Sequence, residues 1–206
     1  MSQLIIEITR EFGSGGHEIA RQLSQRFNLK LYEENILTEI AEEYDIDPET
    51  LKKYDEVPKR IYGSRTVKGF SNSPADAVAH MRYKFLREKA AAGESFVVVG
   101  RCGEEALKDN PDVVAIFVLA STEFKLKRIM AQGETSEAEA LKLMQRTDKQ
   151  RRTHQNHYCV CKWGDARFYD MTVNSGRLGI DGTVDILEQY IKARIAARNS
   201  AEPEAK

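Results

Sequence analysis

The 206-residue sequence predicts an α/β fold of three layers, a mostly parallel five-stranded sheet between two layers of helices. Three observations carry that prediction. Short apolar runs of strand character alternate along the chain with segments of helical spacing. Two of the runs, residues 96–99 and 113–119, contain no polar residue, as strands covered on both faces do. The segments that follow the strands (residues 10–16, Gly100-Arg101, Ser121-Thr122 and Asn174-Ser175) are polar, glycine-rich or basic, and ligands of open parallel sheets bind at those carboxyl ends.

Taken in order, residues 4–8 read as the first strand. The chain then passes through Gly13, Gly15 and Gly16 into a helical pattern carried by Ile19, Ala20, Leu23 and Phe27. Residues 29–32 read as a short second strand. Residues 33–57 are acidic and helical, with Ile36, Leu37, Ile40 and Ala41 on one face, and Asp47-Pro48 starts a second short helix. Residues 58–73 carry Lys59, Arg60, Arg65 and Lys68 among Gly, Ser and Asn without periodicity, and read as a mobile loop. Ser73-Pro74 opens a longer helix with Val78, Met81, Phe85 and Leu86 inward, and Gly93 stops it. The third strand, residues 96–99, ends at Gly100-Arg101. The fourth, residues 113–119, leads to Thr122, read as the cap of a helix bearing Phe124, Leu126, Ile129 and Met130. Residues 135–158 are helical and very polar, with basic groups crowding residues 146–152. Residues 169–173 form the last strand, and Val184, Leu187, Ile191 and Ile195 mark a closing helix. From Arg198 on, the tail is polar and frayed.

Composition excludes several function classes. Lys and Arg number 31 against 32 Asp and Glu, a balance unsuited to a general binder of extended nucleic acid. No apolar run reaches the length of a membrane span, no signal peptide is recognisable, and Ser2 stands where myristoylation needs glycine. Cys102, Cys159 and Cys161 cannot all pair within the chain, and a reducing cytoplasm is the expected setting.

The stretch from residue 4 to residue 20 is the expected functional centre. A strand that ends in a glycine-rich turn and opens a helix presents unpaired N–H groups and a partial positive charge to an anion. The phosphate-loop pattern G-x-x-x-x-G-K-[ST] is approached but not met. Laid on it, Arg10 takes the place of the first glycine, Gly16 that of the lysine and His17 that of the magnesium-binding hydroxyl. The length of the loop survives and its charged end does not. Arg10, at the loop's start, is the candidate for the replacement cation; a solvent-facing or Glu11-paired arginine is the plainer alternative. For the turn as a whole the alternative is a helix start that binds nothing, with Ser14 as cap and Glu18 complementing the dipole.

With these residues in place the sequence resembles the nucleoside monophosphate kinases, most closely the cytidylate kinase-like family of P-loop proteins. The likeness rests on Thr9-Arg10-Glu11-Phe12-Gly13-Ser14-Gly15-Gly16 followed by Glu18-Ile19-Ala20, on Tyr54-Asp55-Glu56, and on Val99-Gly100-Arg101. Asp148 with Arg151 three residues on, Trp163-Gly164-Asp165, and Tyr169-Asp170 leading to Val173-Asn174-Ser175 complete it. The resemblance implies one P-loop kinase-like domain over residues 1–198 with a flexible tail at 199–206. Within it, residues 31–95 would be a helical acceptor-binding insertion and residues 131–168 a lid. It further implies that Gly13, Ser14, Gly15 and Gly16 cradle the donor phosphates, and that Arg128 packs near the donor base; His17 could add a donor to a phosphate, a solvated loop histidine being the plainer alternative. Arg101 and Asp148 fall to the acceptor, with Cys102 standing where cytidylate kinases have aspartate. Arg151 matches a lid arginine that neutralises the transferring group, and Arg10, by its place at the loop's start, is the candidate to assist it.

ATP and Mg²⁺ are the cofactors implied, small nucleotides the substrates, and phosphoryl transfer to a nucleoside monophosphate the activity, with cytidylate kinase the nearest namesake. The chemistry is compatible, since phosphoryl transfer asks mainly for fixed positive charge, metal and alignment, and guanidinium binds phosphate through a two-pronged fork. A catalytically impaired nucleotide- or phosphate-binding protein of the same fold is the chief rival. His154, His157, Cys159 and Cys161 are spaced too tightly for the usual zinc patterns, and no metal ligand is assigned. Glu11, Glu104 and Glu105 are the carboxylates weighed for Mg²⁺.

Overall fold

A computed structural model describes residues 3–33, 35–55, 66–67, 70–71, 74–100, 103–133 and 135–201. The chain begins with β1 (Ile5–Arg10), α1 (Gly16–Phe27) and β2 (Lys30–Tyr32). Between β2 and the next sheet strand lie α2 (Ile36–Tyr44), α3 (Pro48–Asp55), a two-stranded ribbon of β3 (Thr66–Val67) and β4 (Phe70–Ser71), and α4 (Pro74–Ala91). There follow β5 (Phe96–Val99), the single turn α5 (Gly103–Ala106), β6 (Val113–Leu119), α6 (Thr122–Gln132) and α7 (Glu137–Tyr158). A 3₁₀ turn at Ala166–Phe168, β7 (Met171–Asn174) and α8 (Ser175–Ala201) close the chain.

Five strands form one sheet in the order β2-β5-β1-β6-β7, every pair parallel. The central strand β1 lies between β5 (Ile5↔Phe96 to Ile8↔Val99) and β6 (Ile5↔Val113 to Arg10↔Val118). The chain leaves β1 toward one edge and later returns to its other side. The carboxyl end of β1 is therefore the crevice where the topology switches direction, the place such sheets reserve for ligands.

The strand period of two sorts the core into the two faces of the sheet. On β6, Val114, Ile116 and Val118 join Ile6, Ile8, Val97 and Val99 against α1 (Ile19, Ala20, Leu23) and α8 (Val184, Leu187, Ile191). The alternate residues Val113, Ala115 and Phe117 join Ile5, Phe96 and Val98 against α2, α4 and the segment after α7, through Ile40, Phe85, Leu86 and Trp163. Full burial of each large apolar side chain contributes about 1.5–3 kcal/mol, so both layers are held by the strands' alternation. On β1 the parity of Ile5 continues through Glu7 and Thr9, which are buried, with Thr9 Oγ1 donating to Glu7 Oε1 at 3.1 Å. A smaller cluster, Leu126, Ile129, Ala140 and Met144, joins α6 to α7.

Several local expectations are refined. Ser121, not Thr122, caps α6, its hydroxyl accepting from Phe124 N–H. Ser14 is not the cap of α1: Gly15 holds that position with no side-chain hydrogen bond, while the Ser14 hydroxyl donates to the Glu11 carbonyl at 2.8 Å. The closing helix starts at Ser175, well before its apolar stripe, because a break at Gly179 lets a first turn precede the long segment. Asp47 accepts from Glu49 N–H, as a cap should, and Gly93 ends α4 at φ 79°. The loop expected over residues 58–73, with Lys59, Arg60, Arg65 and Lys68, lies outside the described residues apart from the ribbon strands, as does the cap Ser73.

Candidate functional site

The turn between β1 and α1 is shaped by its glycines. Gly13 (φ 81°) and Gly15 (φ 80°) adopt left-handed backbone, which residues with a Cβ enter at a cost of about 1–2 kcal/mol. Two hydroxyls fix the turn from within and behind. Ser14 donates to Glu11 O, and Ser175, at the start of α8, donates to Ser14 O at 2.6 Å. Ile19 N–H pairs with Gly15 O to begin the helix. Among the described residues, none accepts a hydrogen bond from the N–H groups of Gly13, Gly15, Gly16, His17 or Glu18. Five consecutive or near-consecutive unpaired amides at a helix start form a receptor for an anion.

The missing lysine has a geometric explanation. A Cβ on Gly16 would lie 2.5 Å from Arg10 Cβ and 2.8 Å from Arg10 Cγ, so the stem of Arg10 fills the volume that a side chain at position 16 would need. The guanidinium continues to the carboxyl end of β5, where a Cβ on Gly100 would collide with Arg10 Nη1. Arg10 thus bridges the turn and the end of the neighbouring strand. Glycine at both ends of its path is what lets it lie there.

Two further arginines meet the turn. Arg128 of α6 places its Cζ 3.5 Å from where a Cβ on Gly15 would be, and its Nη2 donates to Glu18 Oε2 at 2.9 Å. Its Nε is buried without a hydrogen-bond partner among the described residues, a donor left over beside the turn. Arg151 of α7 donates from Nη1 to Arg10 O at 3.2 Å and stacks on the Phe12 ring with its Cζ 5.6 Å from the centroid. Three residues earlier on the same helix, Asp148 Oδ1 accepts the Phe12 N–H at 2.7 Å. Burial pushes the Asp148 carboxyl above its ordinary value, a shift that Phe12 N–H and Lys125 counter and Glu11 reinforces. His17, at the loop's end, is 59% exposed and its Nε2 lies 3.0 Å from Glu33 Oε2, just beyond β2.

The structure therefore gathers Gly13, Ser14, Gly15, Gly16, His17, Arg10, Arg128, Arg151 and Asp148 around one turn. Arg101 and Cys102 lie outside the described residues, as do the side chains of Tyr54, Asp55, Glu56 and Glu104. Asp148 faces the turn's backbone. Cys159 and Cys161 are buried core thiols, Cys161 accepting from Gln155 Nε2 at 3.6 Å. Among the described residues no group of three or more His, Cys, Asp or Glu is placed to hold a metal ion.

Sequence reasoning passed over Lys125, Glu33 and the pair Asp76–Tyr158. Lys125 sits one turn before Ile129 on the buried stripe of α6, which was the available signal. Tyr158 OH donates to Asp76 Oδ1 at 2.5 Å and ties α7 to α4, a contact 82 residues apart that no local pattern announces.

The sequence model of the cytidylate kinase-like family matches residues 5–177. No curated protein sequence matches the chain. Among solved structures, an uncharacterized protein from Eubacterium ventriosum is 36% identical, covering 92% of this chain and 99% of its own, with a TM-score of 0.73. Shikimate kinase from Bacteroides thetaiotaomicron (12% identity, 92% and 98% covered, TM-score 0.53) and a sugar kinase from Janibacter sp. (14%, 92% and 95%, TM-score 0.54) share the fold, a P-loop kinase fold. At those identities the likeness concerns the fold alone.

Proposed function

We propose that this chain, which belongs to the cytidylate kinase-like family, transfers the γ-phosphoryl group of ATP to a small acceptor, a nucleoside monophosphate in the first instance. The observation that carries this is the set of amides of Gly13, Gly15, Gly16, His17 and Glu18 without an acceptor among the described residues, flanked by Arg10, Arg128 and Arg151. A polyphosphate bound there would accept from the amides and from the Arg128 Nε. Arg10, running from the turn to the end of β5, lies between the donor position and the strand end that precedes Arg101. That is where charge must be neutralised during transfer between donor and acceptor.

Mg²⁺ is implied by the family, and the residues at the turn were weighed as its ligands. Ser14 is fully buried with its hydroxyl donating to Glu11 O, and Glu11 Oε2 is held by Lys125 and Ala120 N–H, so neither is presented to an ion at the turn. Glu33, touching the last residue of the turn, has the oxygen chemistry Mg²⁺ takes, and would hold it together with phosphate oxygens. When bound, the ion would supply positive charge to the phosphates.

The acceptor would enter between residues 31–95 and residues 131–168, the two segments that the family likeness assigns to it. A protein of this fold that binds ATP without turnover is the second reading, favoured by the absence of the loop lysine. A panel of nucleoside monophosphates assayed for ADP formation separates the two. ADP released only when one acceptor is present supports transfer. ATP-dependent stabilisation with no ADP in any arm supports a binder.

A further inference from the structure

A lysine does serve this turn, from another element. Lys125, in the first turns of α6, is 6% exposed and is the one buried lysine among the described residues. Its Nζ lies 2.8 Å from Glu11 Oε2 and 3.6 Å from Asp148 Oδ2. Each carboxylate has a second partner. Glu11 Oε2 also accepts from Ala120 N–H at 3.3 Å, at the end of β6, and Asp148 Oδ1 accepts from Phe12 N–H at 2.7 Å. The Lys125 Cβ lies 3.1 Å from where a Cβ on Gly13 would be. One ammonium thus joins the phosphate-binding turn, α6 and α7. The same α7 carries Arg151, whose guanidinium packs on Phe12 and donates to Arg10 O.

Burial of an ammonium is costly unless charges and hydrogen bonds compensate it, so the cluster holds one geometry rather than several. With Lys125 flanked by two carboxylates, the cluster is not itself a cationic receptor for phosphate. Its effect is on placement. We propose that Lys125 is the positioning residue of the phosphoryl-transfer site: clamped between Glu11 and Asp148, it locks the turn and Arg151 into a single unit. The inference rests on the function proposed above and adds to it a coupling between donor-phosphate binding and the lid helix. Lys125 touches no substrate. It acts through Arg151 and the Phe12 amide.

The test uses the full chain and inorganic tripolyphosphate as the probe of the turn, with ADP formation measured on whichever acceptor the panel identifies. Wild type is compared with Lys125→Met, Lys125→Arg, Arg151→Ala and the double variant Lys125→Met/Arg151→Ala. A displacement of a catalytic group by about 1 Å costs about a hundredfold, so Lys125→Met is expected to lose about tenfold to a hundredfold in kcat/KM. Lys125→Arg, which keeps the charge and both partners, is expected to recover most of it. In the Arg151→Ala background, Lys125→Met is expected to cost almost nothing more, because the route through Arg151 is already gone.

Fully additive losses, or wild-type kinetics in Lys125→Met, overturn the proposal. Should Lys125→Met not fold, the neutral set Glu11→Gln/Lys125→Met/Asp148→Asn removes the stranded carboxylates and takes its place, with the same two criteria. Failure of the wild type to bind tripolyphosphate at all would instead overturn the function on which the proposal stands. Normal binding and turnover in wild type, unchanged in Lys125→Met, would overturn the positioning role alone.

Discussion

The amide of Phe12, inside the turn, donates to the carboxylate of Asp148 on α7 across 2.7 Å and 136 residues of sequence. The helix α7 and the β1–α1 turn share this part-buried hydrogen bond and cannot be considered separately. Exchange of Asp148 for Ala leaves the Phe12 amide and the Lys125 ammonium without that partner, and an unsatisfied buried donor costs about 1–3 kcal/mol. Asp148→Asn keeps an oxygen for Phe12. Chemical denaturation is expected to show a clearly larger loss for Ala than for Asn.

The same carboxyl has a pH signature. Burial raises its value in the fold above 3.8, partly offset by Phe12, Lys125 and Arg151. A group whose value is raised on folding takes up its proton in the native state first. Its stabilising effect is complete below the unfolded value and is lost as pH rises through the folded value. Relative to Asp148→Asn, the wild type is expected to gain stability as pH falls through that window. Paired urea titrations across it measure the difference, and a wild-type advantage that grows toward neutral pH would contradict the assignment.

Restoring the textual phosphate-loop lysine should do harm. In Gly16→Lys the new Cβ meets Arg10 Cβ and Cγ, and overpacking of this kind costs about 1–3 kcal/mol. Activity is expected to fall as Arg10 is pushed from its path. Arg10→Gly/Gly16→Lys opens the same space and is expected to recover the stability that Gly16→Lys loses. Thermal unfolding of the three variants checks this, and a Gly16→Lys protein as stable as wild type would refute the close approach.

Arg10→Ala and Arg151→Ala are each expected to lower kcat by about a hundredfold to a thousandfold, the usual loss for one preorganised charge. Neither residue belongs to the apolar core clusters, although Arg151 packs on Phe12 at the edge of one, so circular dichroism is expected to stay close to wild type and unfolding midpoints to fall only modestly. Wild-type rates in both would remove the arginines from the mechanism.

Gly15→Ala tests the turn from its other side. Its left-handed backbone and the Ile180 side chain packed against its Cα leave no place for a methyl group. Loss of polyphosphate binding with a measurable fall in stability is expected, read by calorimetry and thermal unfolding together.

How much of this was legible in the sequence follows from the range of the interactions. The strands were readable because alternation and apolar runs are local, and the turn because glycines in a strand–helix junction have few other uses. Arg10 could be picked out by position, but its path could not, since that depends on Gly16 and Gly100 being beside it in space. Lys125 was hidden for a similar reason. A lysine in a helix reads as solvent-facing until its partners, 114 residues before and 23 after, are folded over it. Ser14 was readable as a candidate cap, yet the turn spends its hydroxyl on Glu11 O, and the αL glycine caps the helix instead. The cysteines and histidines near residue 160 looked like a cluster in one dimension, and the fold sends both thiols into the core.

The central claim is that the amides of Gly13, Gly15, Gly16, His17 and Glu18, with Arg10, receive a polyphosphate, and thermal unfolding of the wild type with ATP and Mg²⁺ tests it most directly. Ligand at a hundred times its Kd stabilises by about 2.7 kcal/mol, which for a chain of this size is a rise in Tm of about 5–10 °C. A saturable rise of that order, lost in both Arg10→Ala and Gly15→Ala, is the expected result. No rise at any ATP concentration, or an equal rise in all three proteins, would contradict it.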